Sequence, residues 1–175
     1  VQRSLAGVDV EKYGRNLSVA LAVLGNFGPT EVPDLVAKAA KSDDPWVRSE
    51  ALASLTRVQT EEAVQLVIKG TQDSDETVRL SAIRTLGEQN PKGGMDALRE
   101  LVLKDPSENV RSLAVSTLVN SYWGDDEAVA ALLQEVAQND TSEQVRATAA
   151  AMAEHVGTRP WGTSDDTNEN RLSVP

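Results

Sequence analysis

Four segments of this 175-residue chain carry one short pattern, a Val-Arg pair that opens a stretch of helical period: Trp46-Val47-Arg48, Thr77-Val78-Arg79, Asn109-Val110-Arg111 and Gln144-Val145-Arg146. The arginines follow one another at intervals of 31, 32 and 35 residues. Near-constant periods of that length indicate stacked copies of one supersecondary unit rather than a single interlocked core. Around each Arg, apolar residues fall at −1, +3, +4 and +7: Val47, Ala51, Leu52 and Leu55, then Val78, Ala82, Ile83 and Leu86, then Val110, Ala114, Val115 and Leu118. On a helix of 3.6 residues per turn these form one stripe, so each copy contains a helix that packs inward.

A second amphipathic stretch precedes each of these helices, over residues 31–41, 60–71, 92–104 and 126–138. Acidic first turns such as Glu61-Glu62 and Asp125-Asp126-Glu127 suit the helix dipole. Six residues before the Arg, three copies place an Asp, namely Asp73, Asp105 and Asp140, while the first has Ser42. An Asp there can cap the coming helix, and the Arg one turn inside can reach carboxylates or carbonyls of a neighbouring unit. The unit is therefore helix, tight turn, helix. Residues 10–27 read as one more inner helix, with Ala20, Leu21, Leu24 and Gly25 in register but Leu17 in place of Arg, a half-repeat suited to capping the array. The organisation expected is an N-terminal extension over 1–9, a repeat array over 10–156, and a tail or linker over 157–175 that is too polar to bury a core.

Composition narrows function. Aromatics are only 3% of residues, so the core must be built from Ala, Leu and Val, as in closely packed helices. A net charge of −10 repels nucleic-acid phosphates and anionic lipid, which argues against a nucleic-acid partner. There is no cysteine, and hence no disulfide, thiolate metal site or cysteine nucleophile. No apolar run approaches the roughly 18 residues that cross a bilayer, and the first ten residues lack the shape of a secretory signal. A chain that opens on Val1 reads as following a removed signal or as a segment of something longer.

The period, the paired helices and the Asp…Val-Arg…Ala…Leu pattern resemble HEAT repeats, most closely the short HEAT-like repeats first grouped with phycobilisome lyases. The resemblance implies an all-α fold, a right-handed α-solenoid of about four to five helical hairpins. It also implies a ladder between repeats formed by Asp73, Asp105 and Asp140 with Arg48, Arg79, Arg111 and Arg146, and a concave face lined by the second helices. HEAT arrays are predominantly scaffolds for other proteins, although the same repeat hosts unrelated activities.

Opposite the apolar stripe, positions +1, +2, +5 and +9 carry small and polar side chains, a face that is either solvated or a shallow binding groove. Because hot spots favour arginine and aromatics, Arg57, Arg84 and Asn120 are the candidates for partner contact, with Tyr122-Trp123, an unusual pair in so aromatic-poor a chain. Trp46 is expected to pack against a neighbouring turn, and Trp161 is either a short linear motif or a cover for the last repeat. The single histidine, His155, lacks the Cys, second His or Ser-His-Asp order that metal or nucleophilic chemistry needs. The acid pairs Asp43-Asp44, Asp125-Asp126 and Asp165-Asp166 fall in turns or the tail. No catalytic, cofactor-binding or metal-ligating set is therefore expected. The function expected is a noncatalytic scaffold that binds another protein or peptide segment. The rivals are a bilin lyase, suggested only by the resemblance; a HEAT-type DNA glycosylase, which would need a basic face; and a structural spacer in a larger protein.

Overall fold

The computed structural model describes residues 32, 34–91, 93–121 and 126–157. Among them are eight helices and no strand: α1 (Asp34–Ala39), α2 (Pro45–Ala53), α3 (Glu61–Gly70), α4 (Glu76–Gln89), α5 (Gly94–Lys104), α6 (Glu108–Ser121), α7 (Asp126–Asn139) and α8 (Glu143–Gly157). They pair as four hairpins. In each, the first helix (α1, α3, α5, α7) leads through a short turn to the second (α2, α4, α6, α8). The expected inner helix over 10–27, the pair Tyr122-Trp123 and the tail beyond Gly157 lie outside the described residues.

Local chemistry sets the boundaries. Thr60 caps α3 by accepting the Ala63 N–H, and Asp44 and Asp75 cap α2 and α4 through the N–H groups of Trp46 and Thr77. Ser107 and Ser142 accept from Val110 and Val145 at longer range. The capping residue is thus four positions before the Arg, which corrects the expectation that the Asp six before it would cap. That earlier side chain instead accepts the N–H two residues on, closing the turn ahead of the cap: Asp73 from Asp75, Asp105 from Ser107 and Asp140 from Ser142. Ser42 does the same for Asp44 through its hydroxyl. At the other end of α4, Asn90 adopts the left-handed conformation (φ 46°) that Asn tolerates, and the helix stops there.

The second helices pack directly on one another along the stack, α2 on α4, α4 on α6 and α6 on α8, and approach far more closely than neighbouring first helices do. That asymmetry makes the second helices the closely packed layer of the stack. Small residues permit the approach. A Cβ on Gly87 of α4 would stand 2.8 Å from Cγ2 of Thr117 on α6. Ser81 donates across the interface to the Ser49 carbonyl at 2.8 Å and Thr85 to that of Leu52 at 3.3 Å. Gln89 bridges further, donating to the carbonyls of Leu55 and Val58. Between the two helical layers, Leu55, Ile83, Leu86, Leu98, Leu118 and Leu133 are fully buried.

Candidate functional site

Two features of the turns and second helices recur from unit to unit. The first is a chain of ion pairs. Arg48 grips Asp73 with Nε and Nη2, both at 2.8 Å. Arg79 grips Asp105 at 2.7 and 3.0 Å, and Arg111 grips Asp140 at 2.8 and 2.9 Å. Each pair is a two-pronged match of guanidinium to carboxylate, stronger and more directional than a single contact. In every case the Arg of one unit holds the Asp of the next, while its Nη1 is tied to carbonyls of its own turn: Ser42 and Asp43 for Arg48, Asp73 and Ser74 for Arg79, Asp105 and Pro106 for Arg111. The carbonyls thus belong to the Arg's own unit and only the carboxylate to its neighbour. Arg146 has the same carbonyl ties, to Asp140 and Thr141.

Burial and electrostatics act together at these pairs. Burial raises the Asp73 carboxyl, but the bonds from Arg48 and from the Asp75 N–H outweigh it and hold Asp73 below the usual carboxylate range. The Arg111 bond does the same for Asp140, against burial. At the first described unit the chain of pairs stops. Ser42, at the position of the Asp, carries no carboxylate.

A second, weaker set of links runs beside the first. Glu76, at the first position of α4, accepts from the Ser107 hydroxyl and the Asn109 amide, and these bonds hold its carboxyl below the usual range. Glu108 accepts from Ser142 at 2.6 Å. Sequence reasoning missed these links, although Glu76, Glu108 and Glu143 all stand directly after the cap.

The other feature is the exposed face of the second helices. Positions +1 and +2 are largely consumed by packing between helices, with Ser49 buried and Ser81 bonded to it, which leaves +5 and +9 as the accessible rows. Between α2 and α4 lies a groove of about 360 Å³, lined by Trp46, Ala53, Ser81 and Arg84 and also by Glu50 and Glu88. Its floor is small and internally hydrogen-bonded. Trp46 lines this groove and is 49% exposed, with Thr77 from the first turn of α4 among the other lining residues. Asp44 caps α2 at the Trp46 amide, and that backbone bond fixes where the ring projects from the first turn.

Of the sequence candidates, the structure brings Arg84 into this groove, exposed and in no ion pair among the described residues. Asn120 is exposed on α6, one helix away. Arg57 is exposed but lies past the end of α2, not on the helix as its spacing suggested. The helix closes early because the Ser54 and Thr56 hydroxyls bond back to the carbonyls of Ala51 and Ala53, and the backbone there tightens to three-residue hydrogen-bond spacing. His155 is exposed in the last turn of α8. Among the described residues no group of three or more His, Asp or Glu side chains is placed to hold a metal ion, and no helix is long and apolar enough to cross a membrane.

Stacked helical hairpins, carboxylate-guanidinium links between units and a continuous face of second helices define an α-solenoid repeat protein. The chain belongs to the HEAT-repeat family: the family model for HEAT repeats matches residues 15–79 and 65–154. No curated protein matches the sequence.

Proposed function

We propose that the protein is a noncatalytic binding scaffold whose inner, second-helix face receives a segment of another protein. HEAT repeats are commonly interaction scaffolds. The observation that carries the reading for this chain is the α2–α4 groove, where a half-exposed Trp46 and Arg84, in no ion pair among the described residues, line a floor that includes Ser49, Ala53, Ser81 and Thr85, with Glu50 and Glu88 also on its lining. An aromatic and an arginine flanking a groove are the residue types that dominate binding energy at protein interfaces. The floor has no unmet hydrogen bond at Ser81 or Thr85, so a partner can bury apolar atoms there without stranding polar ones. The complementary segment carries an apolar side chain for Trp46 and Ala53 and a carboxylate for Arg84. Because the groove is formed by packed helices, it need not fold on binding, which lowers the entropic cost of association.

The test is affinity capture from native extract with the wild type beside a Trp46→Ala/Arg84→Glu variant, and with Leu103→Ser as a control at an exposed site on a first helix. A protein retained by the wild type and the control but lost by the double variant supports the reading. Equal retention by all three sinks it.

A further inference from the structure

A second cleft, of about 300 Å³, shares no lining residue with the α2–α4 groove. It opens between the turn after α1, the helix α2 and the end of α3. Its charged lining is Lys41, Arg48, Lys69 and Asp73, three cations against one carboxylate. Arg48 and Asp73 neutralise each other in their two-pronged pair, so the excess positive charge belongs to the two lysines. In a chain of net charge −10 this is a local reversal of sign. Ala40 and Leu66 give the cleft partly open apolar walls, and behind them Leu52 and Val78 are buried.

A lysine in the last turn of a helix complements its dipole, and Lys69 holds that place in α3. The dipole alone does not account for the arrangement. The carbonyls of Ile68, Lys69 and Gly70 at that helix end already accept the N–H groups of Thr71, Gln72 and Asp73. Lys104, in the last turn of α5, is matched by Glu100 one turn back. Lys69 has Gln65 at that spacing and Lys41 has Ala37, and both lysines are exposed and in no ion pair among the described residues. The inter-unit link beside them is also the most open of the three. The Arg48 and Asp73 side chains are 15% and 16% exposed, against 10% and 3% for Arg79 and Asp105.

We propose that this cleft receives an acidic side chain of a partner peptide, its carboxylate paired with Lys41 and Lys69 and an adjoining apolar residue set against Ala40 and Leu66. Volume and charge both narrow the occupant. A cleft of this volume is at the small end of ligand sites. A polyanion such as nucleic acid or an anionic membrane spans far more of the surface and meets the repulsion of the whole acidic chain. A single carboxylate meets the local field, because salt screens charges beyond about 8 Å. Arg48 keeps its grip on Asp73 throughout, so occupation leaves the link between the units intact. The site does not depend on the α2–α4 groove being used.

Titration of the isotope-labelled full chain with the blocked peptide acetyl-Leu-Glu-Leu-amide tests this, beside its neutral counterpart acetyl-Leu-Gln-Leu-amide. The backbone amide signals of Lys41, Lys69, Gly70 and Gln72 should shift saturably with the Glu peptide. The Gln peptide should bind about tenfold more weakly, the scale of two exposed ion pairs. The Glu peptide should lose about as much on a Lys41→Gln/Lys69→Gln variant, whose unmoved Ile83 and Leu118 amide signals report an intact fold. Equal binding of the two peptides overturns the proposal, as does undiminished binding by the variant or a shift that never saturates. Shifts confined to Ser81 and Arg84 would place the peptide in the α2–α4 groove and overturn it as well. Lys41 and Lys69 signals that follow protein concentration without peptide would assign the cleft to a second copy, with the same result.

Discussion

The middle of the array and its last helix obey one pattern and differ in what they must hold. In α4 and α6 the stripe carries Ile83 and Leu86 or Val115 and Leu118, all fully buried, and the guanidinium of Arg79 or Arg111 is sunk against the next unit's Asp. In α8 the same positions are Ala150 and Ala153, at least partly accessible, and among the described residues Arg146 is tied to its own turn alone. The comparison separates two roles that the repeat pattern merges. The Arg-to-carbonyl ties shape a unit's own turn and recur in all four described units, whereas the Arg-to-Asp grip joins each of the first three described units to the next. Nearest-neighbour packing of this kind means that each interface is a separate contribution to stability.

The sharpest way to break that distinction is to remove one acceptor from the middle. Asp105→Ala leaves the Arg79 guanidinium, whose side chain is only 10% exposed, without its carboxylate, and should cost about 3–5 kcal/mol in chemical denaturation. Ser42→Ala, at the equivalent place in the first described unit, loses only a hydroxyl closing a turn and should cost about 1 kcal/mol. Similar losses at the two sites would show that the Asp serves the turn and not the neighbour. Leu86→Ala follows at about 2–5 kcal/mol, because it opens a cavity in a closely packed layer. Ala153→Ser, at the matching position of α8, should stay within about 0.5 kcal/mol.

These contrasts also show what was legible beforehand. The helical hairpins and their register could be read from the Val-Arg spacing because a solenoid's contacts are local and each copy repeats the same stripe. Asp73, Asp105 and Asp140 stood out because they recur. The site was harder, since binding residues depart from the repeat. Trp46 heads a second helix, a place that suggests packing against the neighbouring turn, while the equivalent positions in the other units, Thr77, Asn109 and Gln144, are polar and exposed, so the alignment itself marks a solvent row. Arg57 was placed on a helix that its neighbours Ser54 and Thr56 terminate, because the periodicity of the stripe says nothing about hydroxyls that compete for backbone carbonyls. The glutamate links were invisible because acidic residues in a helix's first turn are already explained by the dipole.

Acid should reveal the interior links collectively. Asp73 and Asp140 are held below the usual carboxylate value of 3.8, so as pH falls past that value the unfolded chain takes up protons before the native state does. The stabilisation they supply is complete above that value and is lost as pH drops through their lowered native range. A melting-temperature series from about pH 6 down to about pH 2.5 should therefore fall steeply for the wild type. Asp73→Asn should start lower at neutral pH and fall less. Parallel curves would mean that acid unfolding is driven by carboxyls elsewhere.

The smallest expected change in stability belongs to the groove. Trp46 is half exposed and Arg84 has no ion-pair partner among the described residues, so replacing both with Ala removes little buried contact and should shift stability by no more than about 0.5 kcal/mol. That near-neutrality is the informative outcome, because an aromatic kept at a row that the other units give to polar side chains contributes nothing the fold needs. If the double variant instead unfolded several degrees earlier, Trp46 would be a structural wall between α2 and α4, and binding would have to be sought along the +5 and +9 rows toward Asn120. If stability holds while partner retention is lost, the inner face separates as the helix interfaces do, with small residues fixing the spacing of the helices and the two exceptional residues on that face meeting the partner.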